Sequence, residues 1–184
     1  MFFRYYKENL ITNAKPNPAH IALAKLESQG KLAAAITQNI DGLHQAAGSV
    51  NVLELHGTNH RHYCVKCRAE YSLEYTLELV HCRDEFVPVC EKCQGIVRPD
   101  VVMYEEQLNS ATMTAAVKAI ERADVLIIGG TSLAVYPAAG LIDYFTGDNL
   151  VLINKSATSR DEQAQLVVQE PIGEVMAAVM EEFA

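Results

Sequence analysis

Val125-Leu126-Ile127-Ile128-Gly129-Gly130-Thr131-Ser132 is an apolar run that stops in a glycine pair and two hydroxyl residues. An apolar run this short, bounded by turn residues, suits a strand buried in a parallel sheet. The pattern repeats outward. C-terminal to it, Pro137 opens a helix, 150–153 form a strand ending at Asn154, and a strand near 166–168 precedes a last helix over about 171–183. N-terminal to it, Asn109 or Ser110 caps a helix running to Arg122, and 52–55 form a strand ending at His56-Gly57. Residues 40–47 read as a short helix stopped by Gly48, and 32–37 as another strand. Asn17-Pro18 is a cap followed by proline at the first helical position, and Gly30 ends that helix. Residues 2–10 read as the tail of a helix with an aromatic face. Strands alternating with helices make βαβ units, so the fold class is α/β with a Rossmann-like parallel sheet.

One segment interrupts this alternation. Cys64-x-x-Cys67 and Cys90-x-x-Cys93 are two knuckles, each able to offer two thiolates to one ion. Four sulfurs complete the tetrahedral shell of a structural zinc site, although the spacer 68–89 is slightly longer than the usual template. The expected organisation is a small zinc-binding module at 59–97, inserted into a main domain formed by 1–58 and 98–184. Disulfides are the alternative use of these cysteines, but the count is odd, and Cys82 is left as a lone thiol. His60 and His62 lie near the first knuckle; with the shell already filled by sulfur, both are read as surface residues.

The 184 residues are 49% hydrophobic, enough for one core plus a small appendage. The net charge of −8 argues against a protein that grips a nucleic-acid backbone, which requires a basic stripe. Residues 1–7 are too charged for the apolar core of a secretion signal, and no apolar run is long enough to span a bilayer. The expected setting is the reducing cytoplasm, with neither a membrane nor a nucleic acid as partner.

In parallel sheets ligands bind at the carboxyl ends of the strands, and the polar residues collect there. Gln38 and Asn39 follow one strand, His56 a second, Gly130, Thr131 and Ser132 a third, and Asn154 a fourth. A nucleotide-sized ligand would suit that edge. Each residue also has a plainer use. The glycine turn could be a simple connection, Asn154 could cap a turn, and Asp41 could cap a helix. His56 could be a general base or a structural histidine at a strand end.

Several segments together resemble one family. Thr37-Gln38-Asn39-Ile40-Asp41-Gly42-Leu43-His44, Glu54-Leu55-His56-Gly57, the two cysteine pairs and Arg98-Pro99-Asp100-Val101-Val102 occur in order. Gly130-Thr131-Ser132-Leu133-x-Val135-x-Pro137 and Ile153-Asn154 follow. The set closely resembles the sirtuins, NAD-dependent protein lysine deacylases with a Rossmann-like domain and a four-cysteine zinc module. The resemblance implies NAD and zinc as cofactors and acetylated or otherwise acylated lysine in proteins as substrate. It implies that Gln38, Asn39, Ile40 and Asp41 line the nicotinamide and ribose pocket, with Asp41 meeting the carboxamide. His56 would be the general base. Gly130, Thr131 and Ser132 would contact phosphate or ribose, and Asn154 the adenosine ribose. Val101, Val102, Met103 and Tyr104 would pair with the substrate peptide as an added strand. Two other functions use the same features: ADP-ribosyl transfer from the same pocket, and a non-catalytic zinc-ribbon binding module.

The chain departs from the family pattern twice. Where the family has Phe-Gly-Glu after the paired valines, Tyr104-Glu105-Glu106 stands here, which is expected to alter the loop holding the peptide. The family's opening strand, Gly-Ala-Gly-x-Ser loop and Gly-Ile-Pro-Asp-Phe-Arg segment have no counterpart, so the chain is expected to be a truncated member with little activity alone.

Overall fold

The computed structural model describes residues 14–82 and 87–182. The helix expected over 2–10 lies outside the described residues, as does the Cys82 side chain. The described chain divides into two compact units. The larger holds Lys15–Gln38, Leu43–Leu55 and the chain from Leu108 on; the smaller holds Asn39–Gly42 and His56–Gln107.

In the larger unit, α1 (Pro18–Ser28) starts where the sequence signals it. The Asn17 side chain accepts from the His20 N–H, and the Asn17 N–H donates back to the His20 ring. Two donors of the first turn are thereby satisfied reciprocally. Strand β1 (Ala35–Thr37) pairs in parallel with β2 (Val52–Glu54) across the short helix α2 (Leu43–Ala46). The Glu27 carboxylate accepts from the N–H groups of Val50 and Asn51, at 2.9 and 2.6 Å, and so ties α1 to the entry of β2. The second parallel sheet has the order β6 (Leu126–Gly129), β7 (Leu150–Ile153), β8 (Leu166–Val168). Helix α4 (Ser110–Glu121) is capped by Asn109, whose side-chain oxygen accepts from Ala111 and Thr112. The segment after Pro137 is a 3₁₀ helix, Ala138–Tyr144, and α5 (Ile172–Glu182) closes the unit. Two apolar clusters fill it. One joins Leu55, Ala116, Ile120, Ala138 and Leu141. The other joins Ala19, Ala22, Ile153 and Met176, packing α1 and α5 onto the end of β7.

The smaller unit is an antiparallel sheet of order β4 (Glu70–Ser72), β3 (Gly57–Cys64), β5 (Val97–Val101), followed after β4 by α3 (Leu73–Cys82). The β3–β5 register jumps. Thr58 pairs with Asp100 and His62 with Pro99, so Asn59, His60 and Arg61 bulge out of the ladder. Two differences from the sequence reading lie here. His62 stands two residues before Cys64 and so shares its inward face; it is fully buried, not a surface residue. Burial pushes its imidazole down to about 4. The helix expected over 40–47 begins only at Leu43, because the Ile40 and Asp41 carbonyls accept from the bulge instead of from a following helical turn.

Gly57 opens β3 with φ +74°, opposite Val101. A Cβ there would sit 2.0 Å from the Asp100 carbonyl oxygen, so glycine is required both for its backbone angle and for close approach. Gly57→Ala is expected to destabilise the chain by about 3 kcal/mol, measured by urea unfolding, because a positive φ and a backbone clash are imposed together.

Candidate functional site

The four cysteine sulfurs lie within 4.8 Å of one another. Cys64 and Cys93 are 3.4 Å apart and Cys67 and Cys90 3.5 Å, far beyond a disulfide bond. Four sulfurs at Zn–S distances of about 2.3 Å would stand about 3.8 Å from each other, so the cluster is arranged for zinc. The two knuckles repeat one backbone pattern. Arg68 N–H donates to Cys64 C=O at 2.9 Å, and Gln94 N–H to Cys90 C=O at 2.8 Å. Cys64 N–H donates to Ala69 C=O at 2.9 Å, and Cys90 N–H to Gly95 C=O at 2.8 Å. The residue after each second cysteine, Arg68 and Gln94, takes a positive φ. The Tyr71 hydroxyl donates to Cys90 Sγ at 3.0 Å, which brings the Cys90 thiol down to about 6 and pushes Tyr71 up. A hydrogen-bonded, easily ionised thiol is what a zinc ligand needs.

The rest of the smaller unit carries His56, Asn39, Ile40 and Asp41. His56 stands immediately before β3, half-buried, and its carbonyl accepts from the Val102 N–H at 2.9 Å. Asn59 N–H donates to Ile40 C=O at 3.0 Å, and the His60 ring bonds the Asp41 carbonyl at 2.9 Å. After Val101 the chain leaves the ladder. Glu106 N–H donates to Met103 C=O at 3.1 Å, and Glu105 takes φ +71°. Arg98 braces this turn with a two-pronged ion pair to Glu106 and a bond to the Val101 carbonyl at 2.8 Å; the Met103 N–H donates to the same carboxylate at 2.9 Å. First Arg98, then the Met103 N–H, bring the Glu106 carboxyl down to about 2. Tyr104, at the tip, is 98% exposed.

In the larger unit a cleft of roughly 560 Å³ opens at the carboxyl ends of β6 and β7. It is lined by Gly130 and Asn154 together with Asn17, Pro18, Pro171 and Ile172, which are the starts of α1 and α5. Strand ends facing two helix starts make a site for a polar or anionic ligand, because first-turn N–H groups lack partners within the helix. Thr131 Oγ1 accepts from the Leu133 N–H and from Gln38 Nε2, so the ends of β1 and β6 are linked. Asn154 donates its side-chain amide to Ser156 C=O at 2.8 Å. Ser132 is exposed.

Sequence reasoning missed four contributors: Asn59 and His60, Tyr71, and the Arg98–Glu106 brace. Nothing in a single sequence signals a bulge, a thiol's hydroxyl donor or an ion pair across a turn. The two helix starts in the cleft were legible, since Asn17-Pro18 and Pro171 both mark first turns.

Two outcomes are expected here. Cys90→Ser should lower the zinc content of the purified chain from about one per chain, whereas Cys82→Ser should keep it, as read by atomic absorption. Glu106 ionises near 2 in the folded chain against an ordinary 4.5, so the stability it adds is complete above about pH 4.5 and is lost as pH falls toward 2. In urea unfolding, the gap in stability between wild type and Glu106→Gln should therefore shrink as pH is lowered from about 6 to about 3.

The Sir2 family model matches residues 1–137. The chain is 56% identical over 180 residues to an NAD-dependent protein deacetylase of Clostridium acetobutylicum, covering 97% of this chain and 72% of the relative. It is 58% identical over 182 residues to one of Clostridium perfringens, covering 98% and 72%. Among solved structures, a Sir2 with p53 peptide and NAD+ superposes with a TM-score of 0.93 at 41% identity, covering 99% of this chain and 77% of that one. A Sir2Tm bound to a propionylated peptide gives the same score and identity, covering 99% and 78%. Across nearly its whole described length, the chain therefore belongs to the Sir2 family, the sirtuins.

Proposed function

We propose that this chain is an NAD-dependent protein lysine deacetylase, which moves the acyl group of an acyl-lysine onto ADP-ribose and releases nicotinamide. The observation that carries the reading is 56% identity, over 97% of the chain, to a protein named for that activity. The cleft at the carboxyl ends of β6 and β7 supports it, because its lining suits one end of a dinucleotide. NAD would supply the ribose carbon that the acyl oxygen attacks, the nicotinamide that leaves, and the ribose hydroxyl that finally carries the acyl group.

The residues divide the work by their chemistry. Gly130 gives backbone approach to phosphate, Thr131 and Ser132 offer hydroxyls to phosphate or ribose, and Asn154 offers an amide to the adenosine ribose. Gln38, Asn39 and Ile40 wall the nicotinamide and its ribose, and the Asp41 carboxylate accepts from the carboxamide. His56 takes a proton from a ribose hydroxyl, making that oxygen a nucleophile. Val101, Val102, Met103 and Tyr104 bind the peptide by backbone pairing, a mode that tolerates many sequences. Residues 1–58 and 98–184 serve as the NAD-binding domain, and 59–97 as the zinc module. The zinc, held by Cys64, Cys67, Cys90 and Cys93, is structural, since four sulfurs leave no open position for chemistry. Thiols kept for a metal fit a reducing compartment, and we place the protein in the cytoplasm.

Mass spectrometry of an acetyl-lysine peptide incubated with NAD and the chain tests the reading. Loss of the acetyl group, even at a low rate, is expected; gain of ADP-ribose on the peptide would instead indicate transferase activity, and no change would sink both. His56→Ala should lower deacetylation by ~10²–10⁴-fold with an unchanged circular dichroism spectrum. A near wild-type rate in that variant would remove His56 from its role.

A further inference from the structure

The β3 bulge places three residues outside the β3–β5 ladder, and two of them hold the segment 40–42. Asn59 N–H donates to Ile40 C=O at 3.0 Å. His60 Nε2 lies 2.9 Å from the Asp41 carbonyl oxygen. A carbonyl can only accept, so Nε2 carries the proton and donates. The ring also stands close against the next residue. A Cβ on Gly42 would stand 2.7 Å from both Cδ2 and Nε2 of His60, and Gly42 takes φ +69°. Gly42 is thus fixed twice, by its backbone angle and by the imidazole seated on it. Bulges commonly re-aim side chains beside working residues, and this one aims an imidazole at the backbone on both sides of the Asp41–Gly42 peptide bond.

We propose that His60 is a positioning residue: from the β3 bulge it clamps the Asp41–Gly42 backbone and thereby holds the Asp41 carboxylate in place for a nicotinamide carboxamide. The proposal rests on the reading above that Asp41 meets that carboxamide. His60 itself touches neither substrate nor reacting atom; it acts through the carbonyl it binds. The clamp concerns only the nicotinamide end, so recognition of the acetylated peptide is untouched. Glutamine can substitute, because its side-chain amide donates from nearly the same place as Nε2.

The test uses the full chain with His60→Ala and His60→Gln. The Gly42 amide resonance reports the clamp directly, since that nitrogen shares its peptide group with the Asp41 carbonyl. Nicotinamide inhibition and the KM for NAD report its effect on the pocket, and the KM for an acetyl-lysine peptide serves as control. His60→Ala should shift the Gly42 resonance and weaken nicotinamide inhibition and NAD affinity by about fivefold each, what one ordinary hydrogen bond is worth, with the peptide KM unchanged. His60→Gln should restore all three. A wild-type chain that turns over, with His60→Ala inhibited by nicotinamide as before, overturns the clamp alone. His60→Gln as impaired as His60→Ala overturns the hydrogen bond as its basis. A wild-type chain that releases no nicotinamide from NAD removes the functional reading, and the proposal with it.

Discussion

The smaller unit depends on four sulfur atoms. Its buried apolar cluster consists of Cys64, Cys90 and Val97, backed by Ala69, Tyr71 and Cys93. Ordering a backbone costs about 1–2 kcal/mol per residue, and among the described residues this cluster is small for a three-stranded sheet and a helix. A structural zinc ion contributes about 10–16 kcal/mol in small four-ligand peptides, a large addition for a unit of this size. The cross-link also sets register. Cys64 pairs with Val97 at one end of the β3–β5 ladder, and Gly57 pairs with Val101 at the other. His56 and Val102 follow directly, joined by a backbone hydrogen bond. A metal held by the four sulfurs would therefore bear, through the ladder, on how His56 and Val102 meet.

The larger unit is held differently, and its plan is correspondingly readable. Its apolar clusters come from helices and strands with ordinary start and stop signals, so Asn17-Pro18, Asn109, the 150–153 run ending at Asn154 and the 166–168 run all fall where the pattern puts them. Local propensity and tertiary demand agree there. The four-cysteine cluster was legible for a related reason: ligand spacing within each knuckle is a local property.

What the sequence did not disclose is what depends on pairing. A ladder can drop three residues without any local signature, and the bulge at Asn59, His60 and Arg61 is such a case. Two differences from the sequence reading lie beside it. His62 reads as a surface residue because the sulfur shell is already full, yet a histidine that binds no metal can still face inward, as His62 does with Cys64. Residues 40–42 read as the opening of the helix that Gly48 stops, whereas the bulge supplies donors to the carbonyls of two of them. The first residues of β3 are polar, so hydrophobic period gave no warning in either case.

The turn at Glu105 shows how a departure from a family pattern can be absorbed. Glu105 takes φ +71°, a region that costs a residue with a Cβ about 1 kcal/mol and costs glycine nothing. The neighbouring carboxylate offsets this. Glu106 accepts from both prongs of Arg98 and from the Met103 N–H, while Arg98 also binds the Val101 carbonyl, so one ion pair ties both ends of the turn to β5. The depressed Glu106 ionisation is the sign that the brace favours the charged carboxylate over the neutral one. A left-handed residue without glycine is therefore sustained by what surrounds it, and its side chain is an addition to the surface of the turn. Because Tyr104 and Glu105 are both exposed, that change falls on the solvent-facing side of the turn.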